Sequence, residues 1–227
     1  MHGEYGKSIP QKLFLTTNHF IAILVVVWLL FFNGLQIVFG WFNAEAVAGN
    51  PVRNQLLLLS ATVYFSRLMV TSFYLTKRKM NWDEVITVSV WIYILHVSFA
   101  LFGSAHPDEL ALAEWIGVAL YLVGSWLNTE SELTRHRWKQ NTENKGKLYT
   151  KGLFAFSRHI NYFGDTVLFT GYSFITANPW ALILPIIMTI SFIFMHIPMK
   201  EKYLSEKYGN DFHAYKSKTK KFIPFLY

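Results

Sequence analysis

Cysteine is absent from the 227 residues, which excludes disulfides, thiolate nucleophiles and cysteine metal ligands. Charge is scarce: Asp, Glu, Lys and Arg make up only 15% of the chain, and acidic residues are outnumbered 21 to 14 by basic ones. Internal repeats, low-complexity tracts and long polar linkers are also lacking, so one domain spanning residues 1–227 is the economical reading. A cleavable leader pattern is missing too, because Met1–Thr17 is polar and the first apolar run is long enough to span rather than to be removed. What is abundant is apolar: 52% of residues are hydrophobic and 18% aromatic, more than a soluble domain of this length carries.

Crossing roughly 30 Å of hydrocarbon takes about 20 mostly apolar residues. Four runs reach that length, at 20–42, 54–76, 85–103 and 110–127. Two shorter runs, 163–177 and 180–198, are separated only by Asn178-Pro179 and read as a helical hairpin. The pattern predicts an all-α membrane protein with about six transmembrane helices, divided into a four-helix substrate-side half, 1–127, and a cofactor-binding half, 128–227. Lys and Arg accumulate in cytoplasmic loops. Segment 128–162 has seven of them against three Glu, and the tail 199–227 has seven Lys against three acids, a net of +4 in each. The loop near 103–114 carries Asp108, Glu109 and Glu114 without a basic residue, whereas Lys77, Arg78 and Lys79 follow the second helix. Both termini and a polar cap are therefore expected in the cytoplasm, in a bacterial inner membrane or the endoplasmic reticulum. The net charge of +7 follows from that topology, and no nucleic-acid partner is needed.

The functional signal lies in polar residues that hydrocarbon excludes. Arg67 sits about 14 Å, at ~1.5 Å per residue, from the helix end near Thr76, and an ionised side chain at that depth marks a polar cavity or partner unless it snorkels. Tyr64 lies three residues earlier on the same helical face. Asn33 and Gln36, also three apart in the first expected helix, are candidates to complete a polar patch with Tyr64, or else to glue helices together by hydrogen bonds.

A second concentration begins where the fourth helix runs on into polar sequence, with Asn128, Glu132, Arg135 and Lys139 on one face. A solvated, salt-bridged helix end has the same look. It is followed by KGKLYTKGLFAFSRHINYFGD (145–165), which brings Lys145, Lys147, Lys151 and Arg158, flexible glycines, and then Asn161 and Asp165 at a helix entrance. Cationic groups, glycine backbone and a helix N-terminus together suit an anion. Arg158 and the lysines are expected to neutralise phosphate, with Asn161 and Asp165 bonding sugar hydroxyls or a carboxamide; the competing use of the lysines is anionic lipid. The tail 201–227 alternates aromatic and charged residues, and its Lys216-to-Lys221 cluster suits a membrane surface. His96 and His159 stand alone in sequence, so no metal site is expected.

GLFAFSRHINYFGD, the following hairpin and the closing FIPF resemble the membrane-embedded steroid 5-alpha-reductase-like family, which includes sterol reductases. More distantly they are similar to the isoprenylcysteine carboxyl methyltransferases. The resemblance implies that Asn128, Ser131, Glu132 and Lys139 lie on a face that holds NADPH, with Glu and Lys standing where the family has Asp and Arg. It also implies that Tyr64 helps hold a substrate carbonyl while Arg67, Lys77 and Arg78 contact cofactor. Lys147, Arg158, Asn161, Tyr162, Asp165 and Tyr203 complete the implied cofactor set. The Gln-Glu pair of the steroid-reducing members has no counterpart; Gln36, with Asn33, is the nearest polar equivalent. EKYLSEKYGNDFHAY (201–215) and Arg158-His159 resemble the methyltransferase side, where such residues surround S-adenosylmethionine, with Ile160 in place of a proline. The expected function is NADPH-dependent reduction of a double bond conjugated to a carbonyl in a lipophilic substrate. The alternatives are an S-adenosylmethionine-dependent membrane methyltransferase and a non-catalytic lipid-binding protein.

Overall fold

The structure is a computed structural model that describes residues 6–104 and 106–227. Among these residues the regular elements are all helices, joined by loops, and Ser157 forms an isolated bridge with Lys220. The helices are α1 (Ile9–Phe31), α2 (Gly34–Gly40), α3 (Pro51–Met69), α4 (Trp82–Ser104), α5 (Leu112–Gln140), α6 (Ile160–Ile175), α7 (Ile183–Ser191), α8 (Ile197–Tyr208) and α9 (Asn210–Lys218). π-helical turns continue α3 through Val70–Leu75 and join α7 to α8 through Phe192–His196. Four helical stretches among the described residues are long and apolar enough to cross a membrane: Ile9–Phe31, Pro51–Leu75, Trp82–Ser104 and Pro179–Tyr208. The protein is an integral membrane protein. The other two expected spans lie in α5 and α6, which are not among these four.

The first helix differs from expectation. It begins at Ile9 with Pro10 in its first turn, where proline's missing N–H costs nothing. Residues 11–19, ahead of the expected start at 20, are helical as well, and two of their polar side chains bond within the helix: Thr16 Oγ1 donates to Lys12 O at 2.8 Å and Asn18 Nδ2 to Phe14 O at 2.8 Å. It ends at Phe31, because Asn33 adopts a left-handed conformation (φ 58°) that asparagine tolerates, and Gly34 restarts the chain as α2. Asn33 and Gln36 therefore do not share one continuous helical face.

The chain forms two compact units, Met1–Val118 with Tyr172–Leu182, and Ala119–Gly171 with Ile183–Tyr227. The boundary between these units falls at 118/119, inside α5, and the turn of the late hairpin belongs to the first unit. In that unit α1, α3 and α4 pack together. The buried stripe of α1 runs Lys12, Leu15, His19, Ala22, Val26 and Leu29, at helical spacing. Phe20, Leu24 and Phe31 point outward and exposed, as lipid-facing side chains do. Arg53, 0% exposed, donates to Glu114 at 3.0 Å and to His106 O at 2.6 Å, so the first unit holds a buried ion pair that sequence reasoning did not single out.

The second unit is organised by a close helix crossing. A Cβ added to Gly124 would lie 2.2 Å from Leu168 N and 2.5 Å from Gly164 O, and one added to Gly164 would lie 2.7 Å from Asn128 N. Only glycine lets α5 and α6 approach this closely, which gives the glycine of NYFG a packing reason. The tail closes back on the same unit: Ser157 Oγ donates to Phe222 O at 2.7 Å, Arg158 N to Lys220 O at 2.9 Å, and Tyr215 Oη to Phe154 O at 2.5 Å.

Candidate functional site

The glycine crossing sets Asn128 of α5 beside Asn161 of α6. Asn128 Nδ2 donates to Asn161 O at 3.1 Å, Asn161 Nδ2 donates to Glu132 Oε1 at 3.0 Å, and Arg135 pairs with the other Glu132 oxygen. Four of the predicted polar residues are thus brought into one network, with Glu132 accepting from both sides. Ser131, also in the implied face, is buried and turns its hydroxyl onto Asn128 O at 2.8 Å. Asp165 is half-buried one helical turn beyond Asn161, and Lys139 is exposed near the end of α5. Tyr162 is sandwiched: its ring stacks on His159 at 5.8 Å and 7°, and on Phe192 at 4.7 Å and 18°. Tyr203 is half-buried and accepts from Lys207 Nζ at 2.9 Å.

Arg158 requires a correction. Rather than waiting for phosphate, it is buried and uses four of its five N–H donors internally. Nε and Nη2 reach Glu201 Oε1 at 3.0 and 2.7 Å, and Nη1 reaches Lys216 O at 3.2 Å and also Thr219 O. A guanidinium so engaged locks α8 and the tail to the start of α6. His159 is not isolated either: its Nε2 lies 3.4 Å from the same Glu201 oxygen. Burial pushes the His159 imidazole below its ordinary value, against the opposing bond and charge of Glu201. Lys145, Lys147 and Lys151 are exposed and available to an anion. The second unit therefore fits the hydroxyl and amide groups of a nucleotide cofactor through Asn128, Glu132 and Asn161, but a phosphate must rely on lysines, not on Arg158.

In the first unit, Tyr64 and Arg67 lie together on α3, with the Arg67 guanidinium carbon 5.9 Å from the Tyr64 ring centre. Arg78 of the basic loop pairs with Glu84, Nη1 to Oε2 at 2.7 Å, and Lys77 is exposed. The expected companions of Tyr64 are elsewhere. Asn33 and Gln36 are exposed, and Asn33 is 14 residues, about 21 Å along the helix direction, from His19. It is His19 whose ring lies against Tyr64, at 5.5 Å, and His96 of α4 joins them at 5.8 Å. Both histidines are 0% exposed, and their Nε2 atoms are 2.7 Å apart. Sequence reasoning missed this pair; the only available signal was one histidine at the edge of the first apolar run and another inside the third. Among the described residues no group of three or more His, Cys, Asp or Glu side chains is placed to hold a metal ion.

The fold and these polar groups define an all-helical membrane protein with buried polar networks in each of its two units. Its family is equally plain: over residues 16–219 the chain matches, and belongs to, the family described as "Protein of unknown function (DUF1295)". Among curated proteins it is similar to a probable protein-S-isoprenylcysteine O-methyltransferase of Oryza sativa subsp. indica, at 23% identity over 59% of this chain and 76% of the relative. It is also similar to the 3-oxo-5-alpha-steroid 4-dehydrogenase 2 of Rattus norvegicus, at 23% identity over 78% of this chain and 70% of the relative. Among solved structures it shares its fold with a eukaryotic intramembrane isoprenylcysteine carboxyl methyltransferase, with a TM-score of 0.50, 16% identity and coverage of 96% and 98% of the two chains. The relatives are enzymes of two reaction classes, reductases and methyltransferases.

Proposed function

We propose that the protein is an NADPH-dependent reductase of a carbon–carbon double bond conjugated to a carbonyl in a lipophilic, membrane-dissolved substrate. The observation that carries this reading is Tyr64, a hydroxyl set inside a spanning helix beside Arg67 and two buried imidazoles, where an apolar substrate's carbonyl needs donors. NADPH, when bound, would supply a hydride for the β-carbon, and water or a nearby acid would supply the proton that the α-carbon takes up. Tyr64 donates to the carbonyl oxygen as negative charge develops there, Arg67 adds positive potential beside it, and Asn161 with Glu132 holds the cofactor's amide or hydroxyl groups. The reading extends to six crossings with both termini and the cofactor groups cytoplasmic, on the strength of the +4 charge of each polar segment, with membrane lipid as the surrounding partner.

A second reading, S-adenosylmethionine-dependent methyl transfer, is favoured by one specific observation. Arg158 is already spent on Glu201 and two carbonyls, and S-adenosylmethionine, unlike NADPH, has no phosphate to satisfy. The two separate in a thermal-shift titration of the purified protein with NADPH, NADH and S-adenosylmethionine, because a ligand bound to the native state raises its stability by mass action. Selective protection by NADPH, lost in Asn161→Ala, is expected. Tyr64→Phe should keep that protection and lower turnover by about 10²–10³-fold, the usual loss for one oxyanion donor. Protection by S-adenosylmethionine alone would replace the reductase with the methyltransferase.

A further inference from the structure

His19 and His96 come from helices 77 residues apart in sequence and meet inside the first unit, with Tyr64 and Phe65 of α3 and Tyr172 packed around them. Their 2.7 Å Nε2–Nε2 separation is a hydrogen bond, so one ring donates through Nε2–H and the other accepts on a bare Nε2. The accepting ring must then carry its proton on Nδ1, whatever the charge of its neighbour. Neither Nδ1 has a hydrogen-bond partner among the described residues, and both atoms are buried. The pair therefore satisfies itself on one side and leaves an N–H donor unmet on the other, at a depth where water is not at hand to meet it. A pair serving only to join α1 and α4 needs no such surplus: a single asparagine or serine bonded across the helices makes that join with fewer unmet groups.

We propose that the His19–His96 pair is a binding subsite for the oxygen of a lipophilic ketone or enone, its free Nδ1–H donating to that oxygen alongside Tyr64. The inference rests on the reductase reading and names the groups that hold its substrate. One ring fixes the tautomer of the other, so the donor is held in place without a carboxylate, which hydrocarbon tolerates poorly. Access comes from the bilayer side. Phe65 covers His19 edge-on at 5.1 Å and is itself half-buried, and Phe20 beside it is 51% exposed. Rotation of Phe65 would uncover the pair, the kind of side-chain motion that occurs without rearranging a helix.

The two amides that mimic histidine divide the question, because glutamine places its amide near Nε2 and asparagine near Nδ1. In the full chain reconstituted in nanodiscs, binding of 4-cholesten-3-one and of the linear hexadec-3-en-2-one is measured without cofactor, with cholest-4-ene, which lacks the oxygen, as reference. One of His19→Gln and His96→Gln, each keeping the bond across the helices, should bind the better of the two ketones at least tenfold more weakly while melting as wild type. Wild-type protein labelled with ¹⁵N-histidine should show one Nδ1 resonance move on addition of ketone and none on addition of cholest-4-ene. Ketone binding equal to wild type in both Gln variants, no ketone binding by wild type, or no moving Nδ1 resonance overturns the proposal. Because binding is read without NADPH, a protein that binds ketone through Nδ1 yet fails to reduce it refutes the reductase reading and leaves the subsite standing.

Discussion

Replacing Gly124 with alanine tests whether the α5–α6 crossing builds the Asn128–Asn161–Glu132 network. The new Cβ would sit 2.2 Å from Leu168 N, where ordinary contact begins near 3.4 Å, so the two backbones must part by about 1.2 Å at that point. Both are helical backbone, and no flexible side chain can yield instead. Overpacking of this kind costs about 1–3 kcal/mol. The Asn128–Asn161 and Asn161–Glu132 bonds, at 3.1 and 3.0 Å, stretch past hydrogen-bonding range if the displacement carries one turn along the crossing. Each is worth about 0.5–1.5 kcal/mol. Removing a helical glycine returns about 0.5–1 kcal/mol. The net loss, about 1–5 kcal/mol, lowers the melting temperature by about 2–20 °C for a chain of this size. It is measured by thermal unfolding in detergent, with Gly40→Ala as control, since an added Cβ there meets nothing within 4 Å. The same variant should lose cofactor protection in the thermal-shift titration. A Gly124→Ala protein that melts and responds as wild type would show that the helices are not held this close, and the network built on the crossing would fall with it.

Arg158→Met should destabilise the protein by about 3–5 kcal/mol, because it strands Glu201 in a largely buried position, and it should speed proteolysis of the tail after Asn210; Arg158→Lys, which cannot span Glu201 and two carbonyls, should restore less than half of the loss. Arg53→Met alone should cost about 3–5 kcal/mol by leaving Glu114 unpaired, while Arg53→Met with Glu114→Gln recovers part of it; equal melting of the single and double variants would show that the pair is not coupled. His159 favours its neutral form in the fold, so its folded value lies below the ordinary 6.5. The stability this confers is present above pH 6.5 and is lost as pH falls through the folded value. Melting followed from pH 8 to pH 5 should drop more steeply in wild type than in His159→Gln, and parallel curves would remove His159 from that dependence.

The long apolar runs, the polar face of α5 and the entrance of α6 were legible because each is a local pattern: run length, a spacing of three or four, and a polar cluster beside a glycine. Asn128, Glu132 and Arg135 share the face that the spacing indicated, and the fold adds Asn161 to it. What was not legible depends on partners distant in sequence. Arg158 looked like a phosphate ligand because its own stretch is basic, and only the fold brings Glu201 and the carbonyls of Lys216 and Thr219 to it. Asn33 was placed on a helical face with Gln36, although Asn33-Gly34 is itself a break signal, since asparagine accepts positive φ and glycine costs a helix entropy. His19 and His96 offered only their apolar neighbours as a signal, and nothing local told that they would meet.

These polar groups sort by how fully their hydrogen-bonding capacity is used within the protein. Arg158 has Glu201 and two carbonyls, and Arg53 has Glu114 and a carbonyl with its Nε left unmet among the described residues, so each is a strut whose removal unfolds something before it disables anything. Asn161 is intermediate: its amide reaches Glu132 while its carbonyl receives Asn128, an arrangement that orients the carboxylate and leaves it further lone pairs to offer. His19 and His96 stand at the other extreme, since they bond only to each other and leave both Nδ1 atoms unmet among the described residues. A buried polar group with unused capacity costs stability in every resting state, and a fold keeps it most economically where a ligand periodically completes it. On that physical ground the proposed ketone oxygen is assigned to the histidine pair and Tyr64, with Arg67 beside them, rather than to the paired arginines Arg53 and Arg158.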